Sequence, residues 1–450
     1  MKSYNNLYDK MLEKNLVKTC FITASEKKRD RKDVQKVLSD LDAQADILID
    51  ILENEEFIPS FHELSIINEG SNKKTRRILK PTYKYEQVVH HCIVGQFGQI
   101  VMNGLYEFTC GSIPGRGVHY GKKYMRKWID SYKGEKFYVF KMDIYHFFES
   151  IDRKILKKML KDVIRDKRFL RLLYITIEHN KVANIVKMIQ ESRGSFQKEK
   201  TKELATYIAY DQHDKAIELL HKNRIHNETI EEEIKKDYKG VPLGYYTSQW
   251  HGNFLLKKLD HYIKEILGAE HYMRYMDDIV ILGRNKKKLH KIHKAVEKYL
   301  NENLNLKIKE DWQVFRFEYP IKENGKYVLD KKGKIKTKGR MLDFMGFQFH
   351  WNRTTIRKRN LKSTQRKADH IAKDEKTSWY NAAAMLSYMG MFKHTDTYGY
   401  YLNHIKPIIN IKKLKRIVSK HSRKEQRAYY ERLEKSNRIT GDKTGTGRSE

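Results

Sequence analysis

Two adjacent aspartates, Asp277 and Asp278, sit inside the run His271-Tyr-Met-Arg-Tyr-Met-Asp-Asp-Ile-Val-Ile-Leu282, with apolar, β-prone residues on both sides and no Gly or Pro to mark an ordinary loop. The pattern predicts a tight hairpin whose turn presents both carboxylates. An acidic pair on a rigid turn repels itself and resists burial, so positive charge must offset it. In a polar loop the same pair would be a solvated turn, and the flanking strands argue against that. A third carboxylate strengthens the case. The stretch from Phe137 to Met142 reads as a strand apolar on both faces, as in the buried middle of a sheet. Asp143 comes at its end, where an unpaired carboxylate is costly unless a metal compensates. A helix cap is the competing role for Asp143, but Asp152 suits it better because it directly precedes Arg153-Lys-Ile-Leu-Lys-Lys-Met-Leu160.

The donors available narrow the choice of metal. Cys20, Cys92 and Cys110 are too few and too scattered for a disulfide framework or a Cys-rich zinc site. A catalytic ion must be held mainly by oxygens, which favours Mg²⁺, with Mn²⁺ as the alternative. Charge points to the partner. Lys and Arg number 91 against 57 Asp and Glu, a net of +34, and the 29 tyrosines offer flat faces on which bases can stack. Such an excess implies a polyanion, and nucleic acid is the expectation. No apolar run reaches membrane-spanning length, and Met1-Lys-Ser-Tyr-Asn-Asn-Leu-Tyr8 lacks the apolar core of a signal peptide. A cytoplasmic protein with no membrane partner is expected. The 450 residues suggest two or three lobes.

Residues 1–60 read as a helical region in which Val34, Val37, Leu38, Leu41, Ala45, Leu48 and Leu52 predict one helix from Val34 to Glu55, ended by Pro59. Leu64 to Pro81 reads as two short strands joined by a Gly-Ser-Asn turn, the second carrying Lys73, Lys74, Arg76, Arg77 and Lys80. Cations on such a ribbon either grip phosphates or protect an edge strand. Glu86 to Asn103 predicts a helix in which His90 and His91 face different ways. Glycines 111, 115, 117 and 121 form a loop whose backbone can approach a phosphate, with Arg116, Lys122 and Lys123 supplying charge. From 171 to 239 the chain is helical, polar and free of strand signals, an inserted layer. Lys286 to Leu300 predicts a helix, and Leu304–Lys309 and Met341–Phe349 predict strands. Residues 351–450 hold 24 Lys or Arg against 9 Asp or Glu and read as helical, densest at Lys412-Lys413-Leu-Lys-Arg416, where a solvated helix face and a nucleic-acid contact are equally good readings. The Gly-, Ser- and Thr-rich 441–450 segment predicts a disordered tail.

The order of these motifs resembles the reverse transcriptase family. Phe140-Lys-Met-Asp143-Ile-Tyr-His-Phe-Phe148, Pro242-Leu-Gly-Tyr-Tyr-Thr-Ser-Gln249, Tyr275-Met-Asp-Asp278 and Phe344-Met-Gly-Phe347 look like four palm motifs in sequence, and Arg76-Arg-Ile-Leu-Lys-Pro81 with the glycine loop resembles the fingers. The resemblance implies an α+β right-hand polymerase fold: a helical N-terminal region (1–60), fingers (61–135), a palm (136–350) with the 171–239 insertion, and a basic helical thumb-like region (351–440). It implies that Asp143, Asp277 and Asp278 hold the metals. It also implies that Arg77 and Lys80, with Arg76 the near alternative, meet the incoming triphosphate. By the same likeness Phe148 excludes a 2′-hydroxyl, although a core Phe is the competing reading, and Leu243 and Gly244 border the nucleotide. Tyr275, Met276, Gly346, Arg116, Lys122, Lys123, Lys412 and Lys413 would serve primer and template, with Phe344–Phe347 as the primer grip.

Two departures bear on the subgroup. Leu243 stands where many members carry Gln, and the motif ends Thr-Ser-Gln rather than Ser-Pro. Both resemble bacterial diversity-generating and defence-associated enzymes. The implied activity is RNA-directed DNA polymerisation from dNTPs, making cDNA on a dedicated non-coding RNA in antiphage defence. Mutagenic copying in a diversity-generating element and a maturase-like RNA-binding role are the alternatives. An accessory protein or a homo-oligomer is left open.

Overall fold

The computed structural model describes residues 3–69, 74–132, 135–193, 196–331, 333–374, 376–424 and 427. The expected disordered tail at 441–450 and the centre of the Gly-Ser-Asn turn, with Lys73, lie outside them. Strands are numbered in chain order: β1 (Ser65–Glu69), β2 (Lys74–Ile78), β3 (Thr109–Cys110), β4 (Tyr138–Asp143), β5 (His271–Tyr275), β6 (Asp278–Gly283) and β7 (Gln313–Arg316). The central sheet has the order β3-β5-β6-β4-β7, with β3 parallel to β5 and the other pairs antiparallel.

The apolar runs of β4 and β6 follow from burial on both faces. Phe140, Met142, Ile279 and Ile281 enter one core with the Val88–Met102 and Tyr246–His261 helices. Val139, Val280 and Leu282 enter a second core with Met125, Trp128, Leu342, Phe344, Phe347 and Phe349. Successive side chains of a strand point to opposite faces, so a strand between two cores must be apolar throughout. Asp152 caps the Arg153–Val163 helix as expected, accepting from the backbone N–H groups of Lys154 and Ile155.

Several boundaries differ from the sequence expectation. The single helix expected from Val34 to Glu55 is two, Lys32–Leu38 and Leu41–Glu53. They part at Ser39 and Asp40, where Ser39 Oγ bonds back to the Lys36 carbonyl and competes with helix continuation. Leu304–Lys309 forms no strand beyond one bridge, Ile308 to Ile144. The Lys286–Leu304 helix runs on and stops at Asn305 in the left-handed region (φ 53°), and the sheet edge is filled by β7. The Met341–Phe349 strand is a hairpin of Leu342–Phe344 and Phe347–Phe349 around Met345 and Gly346, both at positive φ. Within the inserted layer, the Lys167–Ile177 helix belongs to the main core, and a separate core begins at Val182 and runs to Ile234 across four helices. The Lys358–Lys373 and Trp379–Phe392 helices and the helical 411–424 segment share a small C-terminal core around Ala368, Met385 and Leu414. Among the described residues no helix is long and apolar enough to cross a membrane.

Candidate active site

The antiparallel register sets Asp143, the last residue of β4, directly opposite Asp278, the first of β6. Asp277 occupies the turn between β5 and β6, and its carbonyl accepts from Ile144 N–H at 3.3 Å. Three carboxylates distant in sequence therefore meet at one end of the sheet. Burial raises the Asp277 carboxyl to about 6, helped by the neighbouring Asp143 charge, and raises Asp278 to about 7. Lys141, two residues before Asp143 and so on the same face of β4, offsets part of this, its Nζ lying 3.6 Å from Asp278 Oδ2. Asp143 Oδ1 and Asp278 Oδ1 are both buried with no hydrogen-bond partner. Buried carboxylate oxygens left without donors, beside a third acid, form a hard all-oxygen donor set that fits Mg²⁺ or Mn²⁺.

A buried ion pair fixes the turn. Arg274, fully buried, donates to both carboxylate oxygens of Asp260 at 2.7 and 2.6 Å, to Asn253 Oδ1 at 3.0 Å and to the Met276 carbonyl at 2.9 Å. Asp260 also accepts from Tyr272 and Thr109 hydroxyls. Every partner of this charge pair is satisfied, the condition under which a buried pair holds one geometry. Met276 itself sits at φ 56° with its N–H on the Cys110 carbonyl at 3.2 Å. The glycine loop backs this turn: a Cβ on Gly111 would meet Met276 Cγ at 3.1 Å, and one on Gly121 would meet Met345 Sδ at 2.6 Å. At those two glycines the missing side chain makes room for methionine packing.

The aspartates form one wall of a cleft of about 1160 Å³. Of the residues singled out in the sequence, Asp143, Asp277, Asp278, Arg76, Lys80, Phe148, Leu243, Gly244, Tyr275, Met276 and Gly346 all line it. Arg77 does not. On β2 the side chains alternate, so Arg76 and Ile78 turn to the cleft while Arg77, opposite Ile66 in the register, faces away. Arg76 is also close enough to lower the Asp277 carboxyl. Phe147 is buried in the core, whereas Phe148 is half-buried in the cleft wall.

The remaining basic candidates lie elsewhere. Arg116 folds back to the Tyr106 carbonyl at 2.9 Å, Lys122 donates to the His394 carbonyl, and Lys123 lies over the Tyr124 ring. Lys412 and Lys413 are exposed on the C-terminal helical segment, away from the cleft. The cleft also takes in Lys28, Arg31 and Arg357, which no sequence motif marks, and Lys141 stands behind Asp278. Lys141 donates to the Asp343 carbonyl at 2.8 Å, and Asp343 in turn pairs with Arg357. Only Lys141 carried a usable signal, its even spacing from Asp143 on a strand.

Gly244, besides lining the cleft, packs closely against backbone. It sits at φ 107°, and a Cβ there would lie 2.1 Å from the Leu79 carbonyl oxygen. The adjacent Leu243 carbonyl accepts from Leu79 N–H at 2.9 Å. The contact seats the basic ribbon on the Pro242–Gln249 motif, a packing reason for this glycine in addition to the place beside the nucleotide that the resemblance implies.

Residues 67–349 match the family described as reverse transcriptase (RNA-dependent DNA polymerase). No curated protein matches. Among solved structures, the chain is similar to telomerase from Candida albicans in complex with a TWJ fragment of telomeric RNA, at 12% identity and a TM-score of 0.35, covering 84% of this chain and 60% of that one. It is also similar to the Candida tropicalis telomerase complex, at 12% identity and a TM-score of 0.36, covering 77% of this chain and 55% of that one. The family match spans well over half of the sequence, and the sheet, ribbon and C-terminal helices agree with a right-hand polymerase fold. The chain belongs to the reverse transcriptase family of RNA-directed DNA polymerases.

Proposed function

We propose that this cleft makes cDNA from an associated RNA by two-metal phosphoryl transfer, and that the protein serves antiphage defence. The observation that carries the chemistry is the meeting of Asp143, Asp277 and Asp278 with two buried carboxylate oxygens left unbonded. Two divalent ions held there would supply charge to the attacking primer oxygen and the leaving pyrophosphate. The chain's own residues do the rest. Asp143 and Asp277 are the principal ligands, and Asp278, braced by Lys141, tunes the site. Arg76 and Lys80 reach the triphosphate from the ribbon, Phe148 favours a 2′-deoxy sugar, and Tyr275, Met276 and Gly346 border the primer end. Positioning and charge neutralisation account for most of such catalysis.

The test is extension of a primer on an RNA template by purified full-length protein with Mg²⁺ and labelled dNTPs. Extension with dNTPs in preference to NTPs is expected; no incorporation on any template would sink the reading. The defence role is inferred from the long insertion, which builds a separate four-helix core of its own. Loss of phage resistance in an Asp277→Ala strain is its expected consequence, and unchanged plating would refute it.

One outcome rests on the charge of the aspartates and a second on the geometry of β2. Asp277 and Asp278 titrate above an ordinary Asp. In the ion-free chain the stability these groups contribute is present below about pH 4 and is lost as pH rises through 6 and 7. Mg²⁺ needs both deprotonated, so its stabilising thermal shift grows between pH 5.5 and pH 8. A shift equal at both pH values would contradict the assignment. The strand parity of β2 makes the second outcome: Arg76→Ala raises the dNTP KM about tenfold to a hundredfold, the loss of one or two charge-assisted hydrogen bonds, whereas Arg77→Ala stays within about twofold. Steady-state kinetics on one template distinguishes them, and equal effects would show that the ribbon is not read this way.

A further inference from the structure

Away from the aspartates, three segments bring metal-ligating side chains together in the interior. His62 comes from the extended chain leading into β1, Glu86 from the turn before the Val88–Met102 helix, and His179 from the first residue of the His179–Arg193 helix, where the inserted helices begin. One ligand atom of each lies within 4.8 Å of the others. His62 Nε2 is 2.6 Å from Glu86 Oε2, and the His62 and His179 rings stack at 5.9 Å. Glu86 and His179 are buried, at 4% and 1% exposure, and His62 is the most accessible of the three.

We propose that His62, Glu86 and His179 form a metal site of their own, taking one zinc-class divalent cation that staples the segment before β1 to the start of the inserted helices. Two imidazoles and one carboxylate are the donor set of a borderline-soft ion, unlike the all-oxygen triad of the cleft. The surroundings orient the donors. Ser60 N–H donates to Glu86 Oε1 at 2.8 Å, and Thr82 N–H and Oγ1 both donate to Oε2 at 2.8 Å. His179 Nε2 is engaged by the Ser60 carbonyl at 3.2 Å and the Tyr245 hydroxyl at 2.7 Å, while its Nδ1 is buried with no hydrogen-bond partner. Outer contacts of this kind fix ring orientation around bound metals. Burial also favours the neutral form of His179, the form with a lone pair to give. Tyr245 follows Gly244 and lines the cleft, so an ion here would stiffen the back wall of the nucleotide site without touching substrate.

The experiment is metal analysis of full-length protein purified without a polyhistidine tag and dialysed against metal-free buffer, with Co²⁺ substitution as a second measurement. About one zinc per chain is expected. It should be retained in an Asp277→Asn, Asp278→Asn double variant and lost in His62→Ala and in Glu86→Gln. Substituted Co²⁺ should show the intense visible bands of a four-coordinate site; an ion held only by the aspartates would be six-coordinate and pale. A chelator should lower the melting temperature of the wild type and leave that of His62→Ala unchanged. Absence of stoichiometric zinc from both the isolated and the zinc-reconstituted wild type would overturn the proposal, because the cluster would then be hydrogen-bonded only. Weak cobalt bands would also overturn it, as would zinc content unaffected by His62→Ala. The wild-type measurements decide the matter even if a variant does not fold.

Discussion

Asp277→Asn will lose RNA-templated extension by about a thousandfold or more, yet melt at a higher temperature than the wild type in metal-free buffer at pH 8. Both effects have one origin. The carboxylate sits beside Asp143, and burial with that like charge raises its proton affinity. Asparagine keeps the shape, removes one negative charge from the cluster and relieves Asp143 and Asp278, a gain on the order of 1–3 kcal/mol in the ion-free state. On the proposed two-metal reading the same change deletes an anionic ligand, which is why extension is expected to fall. The pairing of lost activity with gained stability separates a catalytic acid from a structural one, since a structural acid would lose both. Extension within tenfold of wild type, or a lowered melting temperature, would refute this account. Added Mg²⁺ should narrow the stability difference, because only the wild type gains fully from it.

The sequence carried much of this site because the chemistry is periodic. An apolar run broken by a terminal aspartate can be satisfied only by a strand buried on both faces, and the β4–β6 register then puts Asp143 beside Asp278. The same period-two logic puts Arg76, Ile78 and Lys80 on the cleft side of the ribbon and Arg77 on the other. What the sequence did not carry are the contacts between elements far apart in the chain. Arg274 reads as one more cation in a basic protein, and only the fold brings Asp260 beneath it. Lys28 and Arg31 come from the helical N-terminal region, where no motif marks them, and they reach the cleft because the helices there pack beside the Val88–Met102 helix. The glycine loop shows the same limit: glycine permits close approach, but what approaches is set by tertiary structure, at Gly111 and Gly121 the side chains of Met276 and Met345. Leu304–Lys309 has strand-like alternation, yet the preceding helix and its left-handed cap at Asn305 used that length of chain first.

Gly244→Ala should be nearly as damaging as losing an aspartate, and in a different kinetic parameter. An alanine Cβ would stand 2.1 Å from the Leu79 carbonyl oxygen, against backbone rather than a movable side-chain end, in a conformation (φ 107°) that a non-glycine residue avoids. Either the ribbon lifts away or the Pro242–Gln249 motif rotates, and both break the Leu79 N–H to Leu243 carbonyl bond. Arg76 and Lys80 lie on either side of Leu79, so displacing it moves the two cleft cations proposed to meet the triphosphate while leaving the aspartates on their sheet. The expected result is a rise of about a hundredfold in dNTP KM, with metal-induced thermal stabilisation retained. Gly115→Ala is the control, since Gly115 is also at positive φ (74°) but has open space around its Cα. It should cost about 1–2 kcal/mol of local strain and leave KM near wild type. If the two substitutions behave alike, backbone strain alone explains Gly244. If Gly244→Ala abolishes the Mg²⁺ thermal shift as well, the contact supports the whole palm, not the seating of the ribbon.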